Sequence, residues 1–203
     1  MSRRPGPRGE YAKTPKRREE ILDAAFGVFA RYGYLNSSMS EIAKRAGMTL
    51  PGVTHHFPTK PGLLEAVLKQ RDLDAVRHLQ GRHGVELLRG LLAIAERDQD
   101  DRGLTQLFAI LSAEATADDH PAHVYFRERY ELILRTVRGA FEEAAEHGDV
   151  REGITPAEAA QTYVALSDGL QLQRLYDVGH ESQLAVTRRF LDSVLTVAIN
   201  DAR

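Results

Sequence analysis

The chain has 203 residues, 42% of them apolar and 28% charged, with no Cys and a net charge of −2. That is enough apolar material for a packed core, while the missing cysteines exclude a disulfide framework and thiolate metal sites. The N-terminus lacks an apolar signal region and no stretch reaches the roughly 18 apolar residues of a membrane span, so a cytoplasmic protein with no membrane partner is predicted. The charge divides unevenly: residues 1–60 hold 11 Lys+Arg against 5 Asp+Glu, and residues 61–203 hold 16 against 24. The N-terminal part therefore carries the positive field that binding to a polyanion requires, and the acidic remainder disfavours wrong orientations.

Residues 1–14, MSRRPGPRGEYAKT, read as a flexible basic arm, suited to lie along phosphates or to remain a solvated tail. A helix is predicted over 15–32, because Ile21, Leu22, Ala25, Phe26, Phe29 and Tyr32 recur at helical spacing; Gly33 ends it. Lys16, Arg17 and Arg18 crowd its N-terminus, against the helix dipole, which phosphates nearby would offset.

The most informative stretch is Ser38–Lys60, SMSEIAKRAGMTLPGVTHHFPTK. Ser38 followed by Glu41 is a capping-box pattern, Ile42, Ala43 and Ala46 give a narrow apolar face, and Gly47 suits a left-handed helix stop. Thr49 can cap a second helix over 50–56, with Pro51 tolerated in its first turn. Val53 and Phe57 pack inward, whereas Leu50, Gly52, Thr54 and His55 are left outside; His55 and His56, adjacent on the helix, should point apart. A second helix that buries one thin stripe and displays its N-terminal residues fits a major groove.

Three blocks carry a family resemblance: ILDAAFGVFARYGY, SSMSEIAKRAGMT and HHFPTKPGLL, in that order between Ile21 and Leu64. This region resembles the DNA-binding domain of the tetracycline-repressor (TetR) family. The resemblance implies that Ser38 and Lys60 contact phosphates, and the helix-turn-helix reading of the residues adds Thr49, Leu50, Gly52, Thr54, His55 and His56 as DNA contacts. After the arm over 1–14, the resemblance also implies a DNA-binding domain over 15–60 and a ligand-binding and dimerisation domain over 61–203. Two departures stand out. Thr54-His55 replaces the family's usual Tyr-Tyr before His-Phe, removing a tyrosine–phosphate contact. Thr59-Lys60-Pro61-Gly62 replaces Ser-Lys-Glu, which lacks the capping carboxylate and weakens the start of the next helix.

That next helix is predicted over 59–81, on Leu63, Leu64, Val67 and Leu68, then Ala75, Val76 and Leu79. Further helices are predicted over 85–96, 102–116, a long one from His120-Pro121 to about 147, one opened by Thr155-Pro156-x-Glu158 and running to about 177, and a last one over 181–201. No alternating strand pattern occurs, so the fold class is all-α with about nine helices. Aromatic and polar residues on the middle helices suggest an effector cavity lined by Phe108, Leu111, Glu114, Tyr125, Phe126, Arg129, Tyr130, Tyr163, Leu166 and Gln171. Wheels drawn for the last two helices show two apolar flanks each, which places Val164, Leu172, Leu175, Phe190, Leu191, Val194 and Leu195 at an interface with a second copy.

Catalytic chemistry is missing. No phosphate-binding glycine loop, Gly-x-Ser-x-Gly or His-Glu-x-x-His occurs. His120 and His123, near Asp118 and Asp119, have a two-ligand spacing but equally suit a polar loop. No enzyme activity, metal or cofactor is expected. The partners expected are a double-stranded operator, a second copy of the chain and a small organic effector, in a homodimeric repressor. Two alternatives stay open: a regulator without an effector, marked by a filled C-terminal core, and a helical ligand or metal carrier that has lost DNA binding.

Overall fold

The computed structural model describes residues 13–179 and 181–199, apart from the side chains of residues 13, 14 and 74; of the basic arm expected over 1–14, residues 1–12 lie outside the described residues and 13 and 14 already belong to the first helix. Among these residues nine helices form: α1 (Lys13–Tyr32), α2 (Met39–Arg45), α3 (Leu50–His56), α4 (Lys60–Leu79), α5 (Gly84–Arg97), α6 (Arg102–Glu114), α7 (His123–Glu146), α8 (Pro156–Leu175) and α9 (Gln183–Val194).

The caps form where their residues predict. Ser38 Oγ accepts the Glu41 N–H at 3.1 Å, half of the expected box, Thr49 Oγ1 accepts the Gly52 N–H at 3.3 Å, and Thr155 and Glu158 complete a reciprocal capping box. Gly47, at φ 65°, stops α2. Thr59 Oγ1 accepts the Gly62 N–H at 3.2 Å, so the hydroxyl caps α4 without the missing carboxylate.

Two apolar cores result. The first joins α1 (Ile21, Ala25, Val28, Phe29), α2 (Ile42), α3 (Val53, Phe57) and α4 (Leu63, Leu64, Val67, Leu68) to Leu107 and Leu111 of α6. The second joins α5, α7, α8 and α9 around Leu88, Phe141, Tyr163 and Leu191. Packing therefore crosses residue 60, because α6 has two working faces. Leu107 and Leu111, one turn apart, reach α1, while Phe108, at the edge of the same core, and Ser112 border the cavity on the adjoining face.

Three expectations need correction. Tyr32 is 36% exposed; it lies in the last turn of α1, beyond the core, and Val28, seven residues after Ile21, fills the inner face. Val76 is 58% exposed, because past Leu68 the helix α4 leaves the first core and turns its Asp72 face to α7. The last helix ends at Val194 rather than near 201. Leu195 is extended (φ −90°, ψ 151°) and pairs with Val150. The backbone after Val194 finds partners in the loop after α7: Arg151 N–H donates to Val194 O and Thr196 N–H to Asp149 O, both at 2.9 Å. Arg89 then holds the segment on α5, donating to Ile199 O at 3.0 Å and Ala198 O at 2.8 Å. With β-branched Thr196 and Val197 following, extension with these hydrogen bonds outcompetes another helical turn.

Candidate nucleic-acid interface and ligand cavity

The side chains of α3 divide as the sequence predicts. Val53 and Phe57 are buried. Leu50 is 40% exposed and His55 is exposed on the outer face. The Thr54 hydroxyl donates within its own helix, to Leu50 O at 3.1 Å and Pro51 O at 3.2 Å, which leaves its lone pairs and methyl outward. Ser38 and Thr49 spend an acceptor lone pair on their caps and keep a hydroxyl proton to donate. His55 and His56 do not point apart: their rings meet edge-to-face at 5.3 Å, since α3 stops at His56 and no further turn separates them. Arg18, unremarkable in the sequence beyond its charge, lies with its guanidinium 4.1 Å over the Phe57 ring and donates to His56 O at 3.4 Å, at the negative end of α3.

Lys60 is the main correction on this face. Its ammonium points inward, donating to Tyr34 O and Ser37 O, both at 2.7 Å, and sits 4.1 Å over the Tyr34 ring. The turn between α1 and α2 has carbonyls without helical partners, and the first turn of α4 lies beneath them. Burial lowers the ammonium pKa and the nearby Glu114 carboxylate partly restores it. Lys60 is thus a brace rather than a free phosphate contact. Lys60→Ala is expected to lower stability by about 2 kcal/mol, through two lost charge-assisted hydrogen bonds. It should leave the slope of log K against log salt unchanged, rather than reduced by the roughly 0.9 of a released counterion. Urea melts and a salt titration check the two parts separately.

A cavity of about 820 Å³ lies between the two cores. Six of the ten expected residues line it: Phe108, Phe126, Arg129, Tyr130, Tyr163 and Gln171. Four do not. Leu111 is in the first core, on the flank of α6 turned to α1. Glu114, at the end of α6, reaches away to the Tyr34 N–H at 2.7 Å. The Tyr125 hydroxyl is taken by Asp72 Oδ2 at 2.6 Å. Leu166 lies off the wall, because α8 presents Tyr163, Ser167 and Gln171 at four-residue spacing.

Asp72, which patterning did not single out, organises one wall: it accepts from Tyr125 OH and from Arg129 Nε at 3.1 Å. Burial and this carboxylate push the Tyr125 phenol far above its ordinary value. The Arg129 guanidinium lies 4.5 Å over the Phe108 ring. Beside it on α7, Tyr130 OH donates to Asp168 Oδ2 of α8 at 2.9 Å. Burial, then the Asp168 charge, raises the Tyr130 phenol to about 12. Asp168, open to the cavity yet surrounded by protein, is itself raised by desolvation, opposed by Tyr130 and Arg129. Pairings this distant in sequence leave no local pattern to find them by.

The histidines at 120 and 123 serve the turn between α6 and α7. Ala122 N–H donates to His120 Nδ1 at 3.1 Å, and His123 Nδ1 donates to Ala115 O at 2.9 Å. Among the described residues no cluster of three or more His, Asp or Glu could hold a metal ion, and no helix is long and apolar enough to cross a membrane. Desolvation lowers the His120 pKa from 6.5, helped by Lys60, against the pull of Glu114 and Asp119. The unfolded chain therefore binds the proton first, and stability contributed by neutral His120 is full above about pH 6.5 and is lost as pH falls toward the lowered folded value. His120→Phe is expected to flatten the fall in stability between pH 7 and 5; equal slopes for variant and wild type in urea melts would refute the assignment.

Of the expected interface residues, Val164, Leu191, Val194 and Leu195 are buried in the subunit's own second core. Leu195 leaves the helical register because α9 ends before it, and two apolar flanks alone do not distinguish the inner one from the outer. Leu172 is 50% exposed, and Leu175 and Phe190 are half-buried, so this flank reaches the surface. Tyr176 and Val178, just past α8, extend it and escaped the sequence reading.

A capped helix-turn-helix on one core, sharing α6 with the wall of a half-open cavity, defines an all-α DNA-binding regulator. Residues 21–67 match the family model of bacterial regulatory proteins of the tetR family, and residues 86–196 match that of the C-terminal part of BetI-type transcriptional repressors. The chain belongs to the TetR family of transcriptional regulators. It is 34% identical over 90 residues to the HTH-type transcriptional regulator BetI of Stenotrophomonas maltophilia, a match covering 43% of this chain and 46% of that one. The match thus spans about half the length of that curated relative. Among solved structures, the SmeT–triclosan complex, whose protein is a Stenotrophomonas maltophilia efflux-pump repressor, superposes with a TM-score of 0.75 at 21% identity, over 92% of this chain and 95% of that one. AibR in complex with isovaleryl coenzyme A and operator DNA superposes at 0.65 and 22%, over 88% and 97%. Both structures share the fold.

Proposed function

We propose that the chain is a repressor that binds a pseudo-palindromic operator as a homodimer and is released by a small organic effector. Residues 15–60 serve as its DNA-binding unit and 61–203 as its ligand-binding and dimerisation unit. The observation that carries this reading is the cavity between the cores, large enough for an organic ligand and walled by a helix that also packs on α1. In each subunit α3 enters a major groove, with half-sites about one helical turn apart or a multiple of it. The Ser38 and Thr49 hydroxyls donate to phosphates, and Leu50, Gly52 and His55 face the bases. The exposed flank of Leu172, Tyr176 and Val178 meets a second copy. An effector that prefers the conformer with mismatched recognition helices shifts the population away from DNA. That SmeT and AibR are described with triclosan and with isovaleryl coenzyme A supports a ligand here too.

Footprinting of the chain's own upstream region, with and without cell extract, tests the reading. Two protected half-sites that disappear with extract are expected, from a protein that sediments as a dimer. A monomer protecting one site, or protection that no extract changes, would overturn the corresponding part.

Base readout has its own test. Alanine at position 52 would gain up to about 1 kcal/mol of helix propensity. However, its Cβ would stand 3.3 Å from both Met48 Cε and the capping Thr49 Oγ1, so the net gain is expected to be smaller. Gly52→Ala and His55→Ala should each change the sites selected from a randomised DNA pool; unchanged selection by both would place readout elsewhere.

A further inference from the structure

α6 belongs to two structures at once. Phe108, Ser112 and Ala113 wall the cavity, while Leu107 and Leu111 are fully buried against the first core. Its last residue, Glu114, serves neither. The side chain is 15% exposed and turns to the loop between α1 and α2, where it accepts the Tyr34 N–H at 2.7 Å. Gly33 leaves the space for it: a Cβ there would overlap the carboxylate, with Cδ only 2.7 Å away. The same loop is held from below by Lys60 of α4, through the Tyr34 and Ser37 carbonyls. Next to it His120 Nε2, buried and without a hydrogen-bond partner, lies 3.7 Å from the Glu114 carboxylate. The loop's amide is thus pinned by α6 and its carbonyls by α4, and the residue that follows, Ser38, caps α2.

We propose that Glu114 is the positioning residue through which the cavity wall sets the helix-turn-helix: filling the cavity shifts α6, withdraws the carboxylate from Tyr34 N–H and Lys60, and releases the loop that presents the Ser38 cap. The inference rests on the ligand-responsive reading above. Its physical basis is the steepness of a short charge-assisted hydrogen bond. A displacement of about 1 Å takes a 2.7 Å contact out of bonding range. An unpaired amide then remains in a half-buried site, beside an ammonium held only by its two carbonyls, which makes intermediate positions unfavourable. The loop is therefore a two-state element that cavity and DNA both bias, and coupling runs equally in both directions.

No effector is identified, so cavity filling by Ala109→Trp serves as the probe, Ala109 being a wall residue. The full chain is compared as wild type, Ala109→Trp, Glu114→Ala and the double variant, for affinity to the upstream fragment and for amide hydrogen exchange over residues 34–38. Ala109→Trp alone is expected to weaken DNA binding roughly tenfold, within the range of typical allosteric coupling, and to speed exchange at 34–38. With alanine at 114 the tryptophan should have less than about a twofold further effect, a non-additivity expected only of residues on one route. Glu114→Gln, which keeps an acceptor for Tyr34 N–H, should restore part of the tryptophan response; it also keeps the test open if the alanine variant folds poorly. Independent, multiplying effects of the two substitutions would overturn the proposal, as would weakened DNA binding with exchange at 34–38 unchanged. Faster exchange at 34–38 that depends on Glu114, without any change in DNA binding, would uphold the internal link and refute the operator reading instead.

Discussion

Leu195→Glu is expected to unfold the subunit, whereas Phe190→Glu and Leu172→Glu are expected to leave it helical, monomeric and unable to occupy two half-sites. Leu195 is 1% exposed and sits in the second core with Leu191 and Phe141. A carboxylate there would have no partner, and burying an unpaired charge costs on the order of 4 kcal/mol or more, comparable with the whole stability of a marginal domain. It would also disturb the pairing with Val150 that holds the chain after α9. Leu172 is half exposed and Phe190 only partly buried, so charges there can reach water at modest cost within the subunit. They would be costly only against an apolar partner surface. Circular dichroism separates the first variant from the other two, and sedimentation separates those two from wild type. Two folded dimers from Phe190→Glu and Leu172→Glu would remove this flank from the interface.

Gly33→Ala is expected to destabilise by about 3–4 kcal/mol. Gly33 sits at φ 72°, where a Cβ adds roughly 1–2 kcal/mol. The new methyl would also push Glu114 off the Tyr34 N–H, and a hydrogen bond to a charged group contributes about 1.5–3 kcal/mol. The two contributions can be separated. Gly33→Asn tolerates the left-handed backbone and should recover part of the first, leaving the clash with the carboxylate. Urea denaturation of both variants gives the numbers, and a loss under about 1 kcal/mol for Gly33→Ala would show that Glu114 moves aside freely. Because the same loop positions Ser38, DNA binding should fall with stability.

Much of the DNA-binding face is legible in the sequence. Ser38 needs only Glu41, and Thr49 only Gly52, so each cap is settled within three residues. The split of α3 into Val53 and Phe57 inside and Leu50 and His55 outside follows from helical periodicity. Lys60 was misread because its acceptors, Tyr34 O and Ser37 O, lie 26 and 23 residues back, and nothing near Lys60 distinguishes a lysine bound inward from one facing phosphate. The cavity was half legible. Aromatic residues on the middle helices announced apolar lining, but which face of α6 or α8 looks into the space depends on where the neighbouring helices lie. Asp72 was missed for the same reason: its partners are 53 and 57 residues away.

By itself, then, the sequence determined the helical class, the order of the elements, the capped turn and the sign of the charge on each part, because these depend on interactions within a turn or two of chain. Tertiary structure decided that Lys60 braces a loop, that Glu114 leaves the cavity for Tyr34, and that Leu195 turns inward as an extended residue. Each of these rests on a buried polar or apolar group meeting a partner from a distant element. Such a partner is selected by the free energy of desolvation and packing in the folded chain, which no local pattern encodes.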